Sequence, residues 1–308
     1  MRKAIMRKAI DKTPSSPIAP PPTPDIIAGD CFSELPKIAK SSVHLVVTDP
    51  PYYLDGLCDE WKKGNKVTTK GVVGKLPVGM KFDPRQGVRL QEFIGRVGEL
   101  INPLMFPGAY SVFFSSPRLA HRTAMGLEDA GFEIRDLLAW NFGNRSQFKA
   151  FSQNHFVDRM DISDAKKKGI KKNLGGRVTP QLRPQFEAMI LAQKPKEGTF
   201  VDNWIKYKTG LISPNASLDG KCPSTVIKAD KQEKEIYNTH LTVKPILLVK
   251  HLIELLSIKG QTVLDPFLGS GTTAIAAQKT MRKCIGIEKN LEYVEITKKR
   301  LGELSWEE

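Results

Sequence analysis

Short runs rich in β-branched and aromatic residues alternate along this chain with stretches whose apolar residues recur at helical spacing. That alternation restricts the fold more than any other feature. The runs are Ile26 to Ala28, Val43 to Thr48, Ala109 to Ser115, Glu133 to Trp140, Phe186 to Ala192, Thr262 to Leu264 and Cys284 to Ile287. Between them Phe93, Ile94, Val97, Leu100 and Ile101 keep a helical period, as do Leu119, Ala120, Thr123 and Leu127. Pro245, with its fixed φ and missing N–H, suits the first position of a helix over the apolar stretch to Ile258, and a last helix carries Leu291, Val294, Ile296 and Leu301. Strand and helix in alternation predict an α/β fold: an open, doubly wound, mostly parallel sheet with helices on both faces.

Several segments break the rhythm. Residues 1–24 write Met-Arg-Lys-Ala-Ile twice and then run through Pro14, Pro17, Pro20, Pro21, Pro22 and Pro24, so a basic, proline-rich tail without a burial face is expected there. The globular part then spans 25–308, interrupted at about 53–87, 143–182 and 194–238 by loops long enough to be functional insertions. The second insertion holds Lys166, Lys167, Lys168, Lys171 and Lys172 ahead of Arg177, and its sign matches the whole chain, in which 47 Lys and Arg face 33 Asp and Glu for a formal charge of +14. A polyanion, nucleic acid first, is the partner such a charge favours, and these six residues are the candidate phosphate contacts. The sequence shows neither a signal-peptide stretch nor an apolar run of the ~18 residues a membrane crossing needs, so a cytoplasmic protein with no membrane partner is expected. Cys31, Cys58, Cys222 and Cys284 form no C-x-x-C pair and are expected to be free thiols, with no metal site.

Two segments carry chemistry. Val263-Leu264-Asp265-Pro266-Phe267-Leu268-Gly269-Ser270-Gly271-Thr272-Thr273 is an apolar strand entering a glycine loop and then a helix. Glycines let backbone approach a ligand, and the helix start offers unpaired N–H groups. The spacing is neither that of a P-loop nor that of a dinucleotide fingerprint, and no lysine follows the last glycine. Asp265 at the strand end would repel a phosphate, which favours a ligand with positive charge or free amines. Glu288 ends the next strand, about twenty residues on, where a carboxylate can accept both hydroxyls of a ribose. Together they describe a nucleoside with free hydroxyls.

The second segment is Val46-Val47-Thr48-Asp49-Pro50-Pro51-Tyr52, again at a strand end. The prolines would hold the Asp49 carboxylate, the Pro50 carbonyl and the Tyr52 ring in one orientation. Two acceptors in front of an aromatic face suit a planar group bearing an NH₂: one hydrogen to Asp49, one to the Pro50 carbonyl, the ring stacked on Tyr52. Such bonds draw the nitrogen lone pair out of conjugation and free it to attack an electrophile.

With Asp-Pro-Pro-Tyr early and Asp-Pro-Phe-x-Gly-x-Gly late, the chain resembles the amino-methylating DNA methyltransferases of the β-type motif order, the restriction-modification type, over about residues 25 to 302. Gly29-Asp30-Cys31 resembles that family's adenine-contacting turn, and His240-Leu241-Thr242-Val243-Lys244-Pro245 resembles its H-x-T-x-K-P segment. The resemblance implies a Rossmann-like fold with circularly permuted motif order and S-adenosyl-L-methionine as cofactor. Phe267, Gly269 and Gly271, with Ser270 and Thr272 in the same loop, would wrap its methionine part while Asp265 faces its amino group. Glu288 would hold the ribose and Asp30 the adenine amine, and Thr242 and Lys244 would line the pocket or order its loop. Asp49, Pro50, Pro51 and Tyr52 would form the catalytic turn.

The implied reaction is direct in-line methyl transfer to an exocyclic nitrogen of a base flipped out of double-stranded DNA, with positioning and hydrogen bonds supplying catalysis. Cys58 is rejected as a nucleophile because it lies in a loop, away from the Asp-Pro-Pro-Tyr turn. Trp61, Phe82, Trp140 and Phe142 are expected to pack in core or loops rather than reach the pocket. The leading aspartate of the tetrapeptide resembles adenine-N6 members; cytosine-N4 is the alternative base, RNA an alternative substrate, and a non-catalytic nucleic-acid-binding protein on the same fold the alternative of another class. The family also implies a homodimer and a cognate restriction endonuclease as partners, although no interface is legible here.

Overall fold

The computed structural model describes residues 20–52, 85–143, 150, 152–179, 182–216, 222–230, 235–240 and 242–304. Most of the expected tail, nearly all of the first insertion, and with it Cys58, Trp61 and Phe82, as well as Leu241, lie outside the described residues.

All seven expected strands form: β1 (Asp25–Ala28), β2 (Val43–Thr48), β3 (Met105–Ser115), β4 (Glu133–Asn141), β5 (Phe186–Gln193), β7 (Thr262–Asp265) and β8 (Lys283–Glu288). One more, β6 (Val226–Lys228), pairs with the edge of β4 and was missed because three residues carry no legible alternation. The sheet order is β1-β8-β7-β2-β3-β5-β4-β6. Every pairing is parallel except those of β5, which runs against both of its neighbours.

The helices are α1 (Cys31–Glu34), α2 (Gln86–Ile101), α3 (Ala120–Asp129), α4 (Asn154–Asp158), α5 (Asp164–Leu174), α6 (Phe200–Tyr207), α7 (Ile246–Leu256), α8 (Thr272–Lys279) and α9 (Leu291–Gly302). Period-two alternation along β2 sends Leu45 and Val47 to one core and Val46 to the other. The Leu45 side is closed by α7, through Leu248, Leu252 and Leu256, and by α8, through Ala274 and Ala277. The Val46 side is closed by Leu90, Ile94 and Val97 of α2 and Leu127 of α3. Helices on both faces and a mostly parallel sheet are the architecture the alternation implied.

Three local expectations need correction. Pro245 caps α7 in extended geometry (ψ 131°) rather than opening it, and the helix stops at Leu256 where Ser257 turns extended. The described part of the 143–182 segment, expected as a loop, contains α4 and α5, and the lysine run lies on α5. The 194–238 segment likewise holds α6, started by a capping box in which Thr199 and Asp202 each accept the other's backbone N–H. Short capped helices with few apolar residues leave little periodic signal. Trp140 and Phe142 are buried, their rings 5.4 Å apart, in the core role expected of them.

Candidate active site

The site follows from topology. β2 and β7 are adjacent and parallel, yet α2 follows β2 onto one face and α8 follows β7 onto the other. Chains that part in this way leave a crevice outside the carboxyl ends of the strands, the usual ligand position in doubly wound sheets. Both chemistry-bearing motifs end there. Thr48 Oγ1 donates to Asp265 Oδ1 at 2.7 Å, joining two segments 217 residues apart. β8 brings Glu288 to the same edge, and β1, paired Ala28 to Glu288, brings Gly29 and Asp30.

The glycine loop is held from several sides. Asp265 is buried and accepts from Thr48 and from the Phe267 N–H at 3.1 Å; burial pushes its carboxyl up to about 6 despite these bonds. Gly269 and Gly271 adopt φ of 56° and 85°, and a Cβ on Gly271 would sit 2.5 Å from Thr297 Cγ2. A side chain there is excluded by conformation and by space. Glu288 Oε2 accepts the Gly269 N–H at 2.8 Å, Thr297 Oγ1 donates to the Gly269 carbonyl, and Arg300 Nη1 donates to the Ser270 carbonyl at 2.6 Å. Thr272 opens α8, directly after Gly271. His240 lies against Gly269, its ring tilted by 60° to that of Tyr293 with centroids 4.7 Å apart, and its Nδ1 accepts the Thr242 N–H, so it ties the segment before α7 to the loop.

Asp30 caps α1 by accepting the Phe32 N–H at 3.0 Å, while its other oxygen pairs with Lys289; both contacts hold its carboxyl below the usual range, Lys289 foremost. Cys31 is buried, and burial lifts its thiol to about 11, which keeps it protonated at neutral pH. Among the described residues Cys31, Cys222 and Cys284 are free.

Beyond β2, Asp49 and Tyr52 meet two residues from elsewhere. Tyr52 Oη lies 2.6 Å from Asp49 Oδ1 and 2.6 Å from Glu187 Oε1. Lys244 Nζ pairs with Asp49 Oδ2 and stands 3.2 Å from Glu187 Oε1. Side-chain exposures of 9% for Lys244, 22% for Asp49 and 19% for Glu187 mean the three charges act on one another rather than on bulk water. Pro50 is buried and Pro51 exposed, which anchors one side of the turn and leaves the other to solvent. Lys244, expected to line the cofactor pocket or order its loop, reaches the Asp49 turn.

Glu187, Thr48, Thr297 and Arg300 escaped the sequence reading. Glu187 arrives because β5 is antiparallel: its amino end lies at the edge where its parallel neighbours end, and a carboxylate opening an apolar strand was the signal available. On α5 none of the described residues is buried; Lys171 pairs with Asp158, and Arg177 donates to the Leu174 carbonyl at the helix end. No helix among the described residues is long and apolar enough to cross a membrane.

Known proteins resemble this chain over most of its length. Type II methyltransferase M.HindIII of Haemophilus influenzae is 29% identical over 300 residues, covering 90% of this chain and 94% of its own. DNA adenine methyltransferase YhdJ of Escherichia coli is 26% identical over 293 residues, covering 90% and 82%. Among solved structures, the cytosine-N4-specific PvuII DNA methyltransferase shares the fold with a TM-score of 0.60 at 17% identity, over 93% of this chain and 92% of that one. The profile of the N6/N4 methyltransferase family, described as DNA methylase, matches residues 43–299, and this chain belongs to that family.

Proposed function

We propose that this DNA methyltransferase moves a methyl group from S-adenosylmethionine to the exocyclic N6 of an adenine flipped out of double-stranded DNA. The observation that carries this reading is the Thr48–Asp265 bond, which sets the Asp-Pro-Pro-Tyr turn and the glycine loop side by side at one crevice. A base amine held by the first would face a methyl donor held by the second.

The donor set fits S-adenosylmethionine. Asp265 and Glu288 present carboxylates to a ligand that brings a sulfonium and an amine, Asp30 adds a third at the same edge, and Lys289, the cation beside them, is engaged by Asp30. When bound, that ligand supplies an electrophilic methyl group. Asp265 would face its amino group, Glu288 its ribose hydroxyls and Asp30 its adenine amine, with the loop from Phe267 to Thr272 around its methionine part. Asp49 and the Pro50 carbonyl would orient the target nitrogen, and bonds to them strengthen as positive charge develops there. Extrusion of the base costs a few kcal/mol, and stacking on Tyr52, whose ring packs against the core and whose hydroxyl is tied down, would recover part of it.

Adenine rather than cytosine rests on the leading aspartate and on the adenine methyltransferase among the relatives. Single-molecule, modification-sensitive sequencing of DNA from cells expressing the protein, beside cells expressing Asp49→Ala, tests it. N6-methyladenine at one short motif, lost in the variant, is expected. Methylcytosine would replace the base, and unmodified DNA in both cultures would overturn the reading.

A further inference from the structure

Proton counting at the catalytic turn carries the structure one step further. A phenol has a single hydrogen and can donate it to one oxygen only. Tyr52 Oη nevertheless lies 2.6 Å from a carboxyl oxygen on each side, Asp49 Oδ1 and Glu187 Oε1. Two attractive contacts at that distance need one more proton, carried by one of the carboxyl groups. Lys244 pairs with both carboxyls, so the group has a net charge of −1 without that proton and is neutral with it.

We propose that Glu187 is the proton sink for the methyl-transfer step, a positioning residue that acts on the target amine through Tyr52 and Asp49. This rests on the amine-methylating function proposed above. As the N–CH₃ bond forms from the nitrogen lone pair and the CH₃–S bond breaks with its electrons passing to sulfur, the nitrogen becomes cationic. It sheds one proton to Asp49. Tyr52 accepts that proton on its hydroxyl oxygen and passes its own to Glu187 Oε1, which leaves a neutral methylamine, a neutral thioether, an ionised Asp49 and a protonated Glu187. Above the Glu187 midpoint the shared proton is gone, so the cluster enters the step with a net charge of −1 that favours the cation developing on nitrogen; afterwards it is neutral again, the state in which both Tyr52 contacts are hydrogen bonds.

The surroundings suit this role. Burial raises the Glu187 carboxyl above the ordinary glutamate value, the Lys244 ammonium opposes the rise, and the Asp49 charge adds to it. The groups facing Glu187 are Asp49 and Tyr52 from the end of β2 and Lys244 from the segment before α7. Its register partner on β4 is Trp140, whose indole donates to the Ala229 carbonyl. From β3, the Phe114 ring stands 5.0 Å from Lys244 Nζ. Asp265 acts on this cluster through Asp49, one bond removed via Thr48.

Glu187→Gln keeps the shape and hydrogen-bonding capacity of the side chain and removes its ability to take a proton. Two readouts follow. In the ligand-free protein, the infrared titration difference between wild type and variant should contain a protonated-carboxyl band with a midpoint above 4.5, apart from the Asp265 band that both proteins share. In single turnover on DNA, the variant should lose at least about ten-fold in rate while its S-adenosylmethionine affinity stays within two-fold. With S-adenosylmethionine kept saturating at every pH, so that Asp265 does not contribute, the wild-type rate should fall with acid through the Glu187 midpoint, because a protonated Glu187 accepts nothing, and the variant should lack that limb. Tyr52→Phe cuts the relay while leaving both Lys244 ion pairs, and should also abolish the limb; it serves if the glutamine variant does not fold. A wild-type rate and an unchanged limb in Glu187→Gln would overturn the relay while leaving the methyltransferase reading intact. A wild-type enzyme that methylates no DNA would instead defeat the proposed function, and the infrared titration would still decide whether the cluster holds the proton.

Discussion

The carboxylate of Glu288 accepts the backbone N–H of Gly269 at 2.8 Å, so the residue expected to meet a ribose also anchors the loop expected to meet the methionine part. Its other oxygen accepts the Asn290 N–H at 2.7 Å, and Asn290 in turn caps α9. Each carboxylate oxygen keeps a second lone pair for a hydroxyl. Glu288→Ala should therefore weaken S-adenosylmethionine binding by more than the ribose bonds alone, on the order of 1.5–3 kcal/mol for each charged hydrogen bond removed. Glu288→Gln, which can still accept from Gly269, should lose less. Calorimetric titration of both variants checks this, and equal affinity in wild type and Glu288→Ala would count against the pocket assignment.

Asp265 makes the same pocket sensitive to pH. Burial raises its carboxyl from 3.8 to about 6, so the ligand-free folded protein holds a proton there that the unfolded chain has already released. Folding stability from this group therefore declines as pH rises from about 4 to about 6, and the ionised carboxylate left above that range is costly until a cation faces it. Binding of a cationic ligand should weaken as pH falls through about 6. Asp265→Asn should bind more weakly at pH 8 and show no such dependence. A pH series of calorimetric affinities for both proteins distinguishes these outcomes; a parallel dependence in Asp265→Asn would assign the titration to another group.

The parts of this protein that could be read from sequence are those in which local pattern and function coincide. Strand ends marked by Asp49 and Asp265 stood out because prolines and glycines punctuate apolar runs there, and the seven recognised strands all carry β-branched or aromatic residues. Glu187 stayed hidden because its relevance depends on strand direction: only an antiparallel β5 delivers its first residues to the edge where β2 ends. Lys244 was singled out for the cofactor pocket or its loop, but its pairing with Asp49 was not legible, since that reach depends on how α7 docks on the sheet rather than on its neighbours in sequence. Arg300 looked like one more basic residue on a terminal helix, yet it is buried and bonds both the Ser270 carbonyl and Glu235.

Lys244 should matter to stability as well as to chemistry. Two carboxylates and burial act on it; burial lowers its pKa and the carboxylates outweigh that, so the ammonium stays charged. Lys244→Ala would leave Asp49 and Glu187 facing each other without a counter-ion, a loss of about 3–5 kcal/mol for a broken buried pair. Adding Glu187→Gln to it should restore part of that loss. Asp49→Ala leaves Lys244 paired with Glu187 and should cost less stability, while abolishing methyl transfer and keeping cofactor affinity within a few-fold. Denaturant unfolding of wild type and the three variants measures these differences, and a Lys244→Ala variant as stable as wild type would mean the two carboxyls are neutral without it.

Helix α5 offers a test of DNA binding that leaves the catalytic centre alone. It packs no buried side chain, and Lys168 and Lys172, one turn apart, are both exposed. Removing them should therefore change folding stability by no more than about 0.5 kcal/mol, as for ordinary surface substitutions. If this face lies along the phosphate backbone, each neutralised phosphate releases counterions, and the slope of log affinity against log salt should fall by about 0.9 for each phosphate that a substitution leaves unpaired. Lys168→Gln with Lys172→Gln should accordingly bind DNA more weakly at low salt, with the difference shrinking as salt rises, and should bind S-adenosylmethionine as wild type does. Fluorescence anisotropy across a salt series measures the slope. An unchanged slope would move the phosphate-binding surface off α5 and leave its charge as a solvated face.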